Sequence, residues 1–415
     1  MPHRRPVLSA ERTTKFLEQV SPVRRRAAVG PDSYQQICLL SLACLWLVLS
    51  PCLAAQSSNQ LPPARQRSVT VHSKFGGQIF GFDIDANGTE GVLSEAQDIA
   101  GGKVLAAVET FDQTTGKILK VVKKTQNKGD FLTLGIVGGG IGLVEQEHVK
   151  DIYVSKRTYP VLNPVDANQI TGFWTPPLTK SDIITGISRA QDSHTTVFFA
   201  FHNGGSDQSF VFSSDVGANT FGPKIKLKDP VFFFSDSPVI ALDSKKNRAA
   251  VAASYGSPTS VPEIGLVNLS TGKVTEFEGL GLGFVNGIAV DSASGVACTT
   301  TEIDFSVEFY DLKTKTGIIE RLPDANNQIY SGADVEYDPV NKLFLIAQPV
   351  SSTAASGSSI QVYDSKGRFI ESINGLNFSN AFNVVPAHIA INPGKRTGFV
   401  DGPDQGVTEL QSFTY

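Results

Sequence analysis

The pattern that most constrains this chain is a hairpin that recurs. SPVIALDSKKNRAAVAAS from Ser237, VNGIAVDSASGVACTTTE from Val285, GADVEYDPVNKLFLIAQP from Gly332 and PAHIAINPGKRTGFVDG from Pro386 follow one plan. Each has a short alternating run, an Asp or Asn that opens a polar turn, and a second run of small and β-branched residues, which is how a β-hairpin is written in sequence. The turn residues Asp243, Asp291, Asp338 and Asn392 stand 48, 47 and 54 positions apart. Weaker copies turn at Asp192, near Gly139 and near Gly101. A second motif of strand, polar turn and outer strand follows most hairpins: TFDQTTGKILKVV at Thr110, FVFSSDVGANTFGPKIKL at Phe210, LVNLSTGKVTEF at Leu266, FYDLKTKTGIIERL at Phe309 and QVYDSKGRFIESI at Gln361.

Four antiparallel strands repeating at this period predict an all-β chain folded as a β-propeller, in which each blade buries both faces against its neighbours. Seven hairpin turns predict seven blades, with six or eight as the alternatives. Burial on both faces accounts for Ile288-Ala289-Val290 and Ile389-Ala390-Ile391, where Ala allows close approach on one side. An open ring would leave strand edges unpaired, so an amino-terminal strand is expected to close it. The stretch GGQIFGFDIDANGTEGVL from Gly76 is the predicted source of that strand, because GVTELQSFTY supplies only a third strand for the last unit.

The amino-terminal segment is of another kind. Arg4, Arg5, Arg12, Lys15 and Arg24-Arg25-Arg26 precede ICLLSLACLWLVLSPCLAA, residues 37–55. A basic flank, an apolar run and small residues at its end predict an export signal cleaved after Ala54 or Ala55. The run is almost long enough to span a bilayer, so an uncleaved anchor over 37–55 is the alternative; Pro51 favours cleavage. Residues 1–55 are therefore read as signal peptide or membrane anchor, 56–72 as a polar linker, and 73–415 as the propeller. Export places the body in the periplasm, at the cell surface or outside the cell, and membrane contact is expected only through the hydrophobic segment. Of 36 Lys/Arg and 40 Asp/Glu, residues 1–55 hold seven and three, which leaves the body 29 against 37 and a net charge of −8. That sign argues against nucleic acid as a partner. Cys38, Cys44 and Cys52 lie in the apolar segment, so Cys298 is alone in the body and no intrachain disulfide forms there after cleavage.

The phrases NGIAVDSASG and GADVEYDPVNKLFLI, with outer elements such as FYDLKTKTG, resemble the repeats of bacterial propellers of the NHL, YVTN and lactonase-like group, which includes gluconolactonase-like proteins. The resemblance implies the fold for most of residues 76–415. It leaves function open, because the group includes binding scaffolds, lactonases and lyases. Gluconolactonase-like propellers use an Asn in a phrase similar to P-N-G-I-A as a divalent-metal ligand. Asn286 in VNGIAVD matches that phrase, and Asp334, His388 and Glu95 complete a candidate axial set for metal-assisted ester or lactone hydrolysis. In the other reading Asn286-Gly287 shapes the entry to a strand.

Asp83-x-Asp85-x-Asn87-Gly88 opens like a calcium loop, but Ser94 stands where a bidentate Glu belongs and a turn between strands explains the same residues. Calcium or another divalent ion is thus the cofactor to consider, and none is required. The glycine cluster LGIVGGGIG fits neither dinucleotide nor P-loop spacing, and Glu145, Glu147 and His148 lack metalloprotease spacing. There is no G-x-S-x-G elbow. The loops that follow the second strand of successive units carry His202, Asn203, Tyr255, Glu302, Gln348 and Asp401 and should gather on one face. Small, polar and variable, they read either as solvent-exposed turns or as a recognition surface for a protein or small molecule. The expectation is a monomeric, exported, non-enzymatic binding propeller, with a metal-dependent hydrolase as the alternative.

Overall fold

A β-strand buried on both faces needs two neighbours, and the described strands of this chain find them in successive sheets. The structure, a computed structural model, describes residues 69–415 except 86–88, 128–129, 138–140, 149–161, 167–168, 171–175, 180–181, 190–194, 203–207, 216–219, 229–238, 255–260, 282, 302–305, 324–332, 350–356, 377, 379–387 and 402–408. All described residues fall in the unit Pro62–Tyr415. The export or anchor segment, the start of the linker and the turns expected at Asp192 and Gly139 lie outside them.

Strand β1 (Thr70–His72) precedes β2 (Gln78–Ile84), β3 (Glu90–Ile99), β4 (Lys103–Asp112) and β5 (Ile118–Asn127), and β2 to β5 form one antiparallel sheet in chain order. The next contains β6 (Asp130–Val137), β7 (Ile141–His148), β8 (Leu162–Asp166) and β9 (Gln169–Ile170). Then come β10 (Asp182–Arg189), β11 (Thr195–His202) and β12 (Gln208–Asp215), whose outer partner is split into β13 (Thr220–Phe221) and β14 (Ile225–Lys226), so this sheet has five strands. Four-stranded order returns with β15 (Val239–Asp243), β16 (Arg248–Ala253), β17 (Glu263–Asn268) and β18 (Val274–Glu278). It continues with β19 (Val285–Asp291), β20 (Val296–Thr301), β21 (Ser306–Asp311) and β22 (Thr316–Arg321), and with β23 (Asp334–Asp338), β24 (Leu343–Gln348), β25 (Ser358–Asp364) and β26 (Phe369–Leu376). Last, β27 (Ile389–Asn392), β28 (Thr397–Asp401) and β29 (Glu409–Thr414) share a sheet with β1. Six sheets therefore have four strands, and the arrangement is an all-β propeller with four-stranded antiparallel blades.

Three expectations are corrected here. The stretch from Gly76 does not pair with the carboxy-terminal sheet: it forms β2 and begins β3 of its own sheet, and β1, upstream of it, pairs with β29. Thr70–His72 is strand, so the linker expected over 56–72 does not extend to residue 72. The hairpin near Gly101 joins β3 to β4, the second and third strands of its sheet, whereas the later hairpins join first to second.

The alternation along each strand divides its side chains between two neighbouring sheets. Ala249, Val251 and Ala253 of β16 face Val197, Phe199 and Val211 of the preceding sheet, while Ala250 and Ala252 face Ile288, Val290 and Tyr310 of the next. On β19, Ile288 and Val290 pack backwards and Ala289 packs forwards against Phe309, Val335 and Phe344. The small residue faces one neighbour and the large one the other, as expected where sheets converge. A further cluster combines Val71, Phe82 and Phe111 with Ala390, Phe399 and Leu410, so the first and last described strands share a core.

The turn residues tie sheet to sheet. Asp243, Asp291, Asp338 and Asn392 are all buried. Asp291 Oδ1 accepts the Ala293 and Ser294 N–H groups, and Asp338 Oδ1 those of Val340 and Asn341. Asp338 Oδ2 also accepts the Tyr415 hydroxyl at 2.7 Å, and Asn341 Nδ2 donates to the Pro393 carbonyl. The Ser244 N–H donates to Ser292 Oγ, and Asn392 Nδ2 reaches the Asp85 carbonyl and Gln113 Oε1 at 3.5 and 3.4 Å. Buried polar groups arranged this way fix the register between neighbours.

Candidate functional site

Opposite this belt, the inner strands begin. There Gly287 lies so close to the next strand that a Cβ on it would stand 2.8 Å from Val335 N and 2.9 Å from Asp334 Cα. Asp334 Oδ2 in turn accepts the Ile389 N–H at 3.2 Å and stands 3.8 Å from His388 Nδ1. The His388 N–H donates to Asp401 Oδ1, and the Asp401 N–H donates back to the His388 carbonyl. Asp334, His388 and Asp401 thus form one cluster at the seam of two sheets, with Asn286 on the adjoining strand. Asp401 is buried, and His388 keeps a third of its side-chain surface.

Burial works against the imidazolium, but its hydrogen bond to Asp334 and the charges of Asp401 and Asp334 prevail and lift His388 to about 9. Burial pushes the Asp401 carboxyl up to about 6, against the pull of His388. At neutral pH the imidazole is therefore a cation between carboxylates. The cluster is an ion pair of the His388 imidazolium with the Asp334 carboxylate, closed by the main-chain bonds between His388 and Asp401.

Asn286 has a structural explanation. Val285 pairs with Thr301 and Gly287 with Thr300, which makes Asn286 the extra residue of a β-bulge. The same step occurs at Phe80-Gly81 between Ile79 and Gly81, and at Thr185-Gly186 between Ile184 and Gly186. IFGF, ITGI and VNGI are one device in three inner strands, so a bulge accounts for the phrase that suggested a metal ligand. Glu95 does not join the other three: it sits on β3 and accepts the Gly77 N–H at 2.9 Å. The proposed set of Glu95, Asn286, Asp334 and His388 is not assembled, and among the described residues no three His, Cys, Asp or Glu side chains converge as a metal site.

The other expected sites fare as follows. Asp83 Oδ1 accepts the Ile84 N–H, the Asp85 N–H donates to the Glu90 carbonyl across the β2–β3 turn, and the Asp85 carbonyl accepts from Gln113 of the β4–β5 turn; Asn87 lies outside the described residues. Of the loop-face residues, Asn203, Tyr255 and Glu302 also lie outside them. His202 ends β11 in register with Asp182. Gln348 and Asp401 are buried strand ends, which corrects their assignment to an exposed face. The Gln348 Nε2 donates to the Pro323 carbonyl, and its Oε1 accepts from Gln361.

Sequence reasoning passed over one recurring position. Glu109, Glu308 and Gln361 each stand three residues before the Asp that ends the third strand, in VETFD, VEFYD and IQVYD, and each is buried. Thr299, Thr301 and Ser306 hydroxyls surround the Glu308 carboxylate, and Gln361 bonds Gln348, Ser359 and Ser372. A lone polar residue repeated inside an apolar strand was the available signal. Cys298 is buried near Glu308, and burial, then that charge, raise its thiol well above its ordinary value.

No protein-family model matches the chain, and no curated protein does. Among solved structures, Raptor from Chaetomium thermophilum is similar at 9% identity, with a TM-score of 0.55 over 85% of this chain. The chain spans only 28% of the length of that one. Since 766 solved chains match, the shape is a common one and does not point to an activity. The likeness carries the fold alone, and on that ground the chain is a β-propeller.

Proposed function

We propose that this chain is an exported, non-enzymatic propeller of seven blades that binds a partner or ligand through the loops following its second strands. The observation that carries this reading is the consumption of the reactive groups by the scaffold: Asp334 and Asp401 are engaged with the His388 side chain and with the Ile389 and His388 N–H groups, and Glu308 and Gln361 are enclosed by side chains of their own sheets. A rigid frame with small, polar, variable loops on one face is a common way to build a recognition surface. Seven blades are supported by the sheet count, with the five-stranded sheet as a blade whose outer strand is split. Closure of the ring is supported by the shared sheet of β1 and β29 and by the approach of β27 to β2.

Kinship with the NHL, YVTN and lactonase-like propellers rests on the repeat phrases. Export rests on the basic flank and the apolar run over 37–55, and sequencing the amino terminus of protein recovered outside the cytoplasm tests it: a start near residue 55 supports cleavage, and an intact 37–55 segment supports the anchor. The binding reading is tested by replacing 255–260 and 350–356 with short Gly-Ser turns. A bound partner should be lost while the unfolding temperature holds. Lactone hydrolysis with stoichiometric metal, both abolished by Asn286→Ala, would replace this reading with the hydrolase.

A further inference from the structure

Glu109 differs from its counterparts Glu308 and Gln361, because among the described residues no hydroxyl bonds it. Its companion is a second carboxylate. Strands β3 and β4 pair Leu93 with Glu109 and Glu95 with Ala107, so Glu95 and Glu109 are diagonal neighbours on one face of the sheet. Their exposures are 1% and 0%. Across them runs Ser73–Gly77, the strap that joins β1 to β2. The Lys74 N–H donates to Glu109 Oε2 and the Gly77 N–H to Glu95 Oε2, both at 2.9 Å. Gly77 is pressed so close that a Cβ would stand 2.7 Å from the Ala96 carbonyl oxygen. The other oxygen of each carboxylate, Glu95 Oε1 and Glu109 Oε1, is buried with no hydrogen-bond partner among the described residues.

Two buried anionic oxygens without partners repel each other and lose their hydration, an arrangement that a fold retains only when something neutralises it. The Lys74 ammonium attracts Glu109 but is one charge against two. We propose that Glu95 and Glu109 bind a hard, oxygen-preferring cation of the calcium class through their Oε1 atoms, beneath the 73–77 strap. Such cations take carboxylate and water oxygens together, so two buried carboxylates, each with one oxygen left over from its bond to the strap, are suitable donors. Glu95 is thus the partner of Glu109 and not of Asn286, Asp334 and His388, and the site is distinct from the β2–β3 turn and from the proposed recognition loops. It would fasten the strap between the sheet that holds β1 and β29 and the sheet of β2 to β5. A single shared proton is the competing way to neutralise the pair, and burial with the Glu95 charge already pushes the Glu109 carboxyl up to about 7 despite the Lys74 hydrogen bond.

The test uses the purified full chain, stripped with a chelator and held at pH 8, where a shared proton is largely lost. Calcium is titrated by calorimetry and by thermal unfolding. One equivalent should bind, and the unfolding temperature should rise by roughly 4–6 °C when calcium exceeds its dissociation constant a hundredfold. Glu95→Gln and Glu109→Gln should each abolish both effects, and Asp83→Asn with Asp85→Asn should preserve them. If the Gln variants do not fold, hydrogen exchange at the Lys74 and Gly77 amides of the unaltered chain decides, because calcium should slow both. Absence of binding and of amide protection, with an unfolding temperature that climbs as pH falls from 8 to 6 more steeply in the unaltered chain than in Glu109→Gln, would assign the pair to a proton and overturn the proposal. A calcium effect undiminished in both Gln variants would overturn it equally.

Discussion

At single residues the repeat acts as an internal control. The turn after the third strand places Gly116, Gly272 and Gly367 at φ of 71°, 68° and 77°, and in the corresponding turn Lys315 adopts 60°. Its N–H donates to the Asp311 carbonyl just as those of Gly116 and Gly272 donate to Asp112 and Asn268. A side chain in the left-handed region is strained, and glycine removes that strain while adding disorder to the unfolded chain. Lys315→Gly should therefore stabilise the protein by about 0.5 kcal/mol, read as a higher denaturation midpoint at unchanged slope. At the bulge the order reverses. Gly287→Ala would drive a Cβ into the backbone of Asp334 and Val335 and should cost about 2–3 kcal/mol. Asn286→Ala should cost under about 1 kcal/mol. Equal losses in the two variants would show that Asn286 does more than supply the extra residue of the bulge.

Between elements, the seam of β23 with β27 and β28 is where charge and packing meet. His388 is raised from 6.5 to about 9, so its contribution is complete below pH 6.5 and is lost as pH rises through 9. Asp401 is raised from 3.8 to about 6, so the folded state favours its protonated form, and that stability is lost as pH rises from 3.8 through 6. Both limbs descend in the same direction. The unfolding temperature should fall between pH 7 and pH 9, and His388→Asn should flatten that limb; an unchanged slope in the variant would refute the assignment. The seam was only half visible in the sequence. Asp334 and His388 stand at matching places in the repeat, whereas Asp401 reads as a loop residue because nothing local marks it as the main-chain partner of His388. Hairpin turns and the Ile/Ala alternation were legible because local rules write them: Asp243, Asp291 and Asp338 open turns, and alternate residues face opposite neighbours. The first unit is offset by one strand from its sequence pattern. Its β3–β4 pair turns at Gly101-Gly102 and looks like an inner hairpin, and only long-range pairing reveals β2 beside it.

Over the whole molecule, the ends of the described chain meet in one sheet, and a long-range strand of three residues holds them there. Thr70, Val71 and His72 pair with Gln411, Leu410 and Glu409, and Val69 exchanges hydrogen bonds with Ser412. Val71 is fully buried among Phe111, Phe399 and Leu410. A chain that begins at residue 66 keeps these contacts, so its unfolding temperature should match that of a chain cut after residue 55. A chain that begins at residue 73 loses the buried valine and the strand pairing, at a cost of about 3 kcal/mol or more. It also leaves β29 with an open edge, and open edges recruit other strands. The shorter chain should therefore unfold earlier and sediment partly as dimers or larger species, while Val71→Ala in the longer chain lowers stability without self-association. The two readouts separate lost packing from a lost edge partner. If the chains starting at 66 and 73 unfold and sediment alike, the three-residue strand does not hold the ends together, and the sheet of β27, β28 and β29 is sufficient by itself.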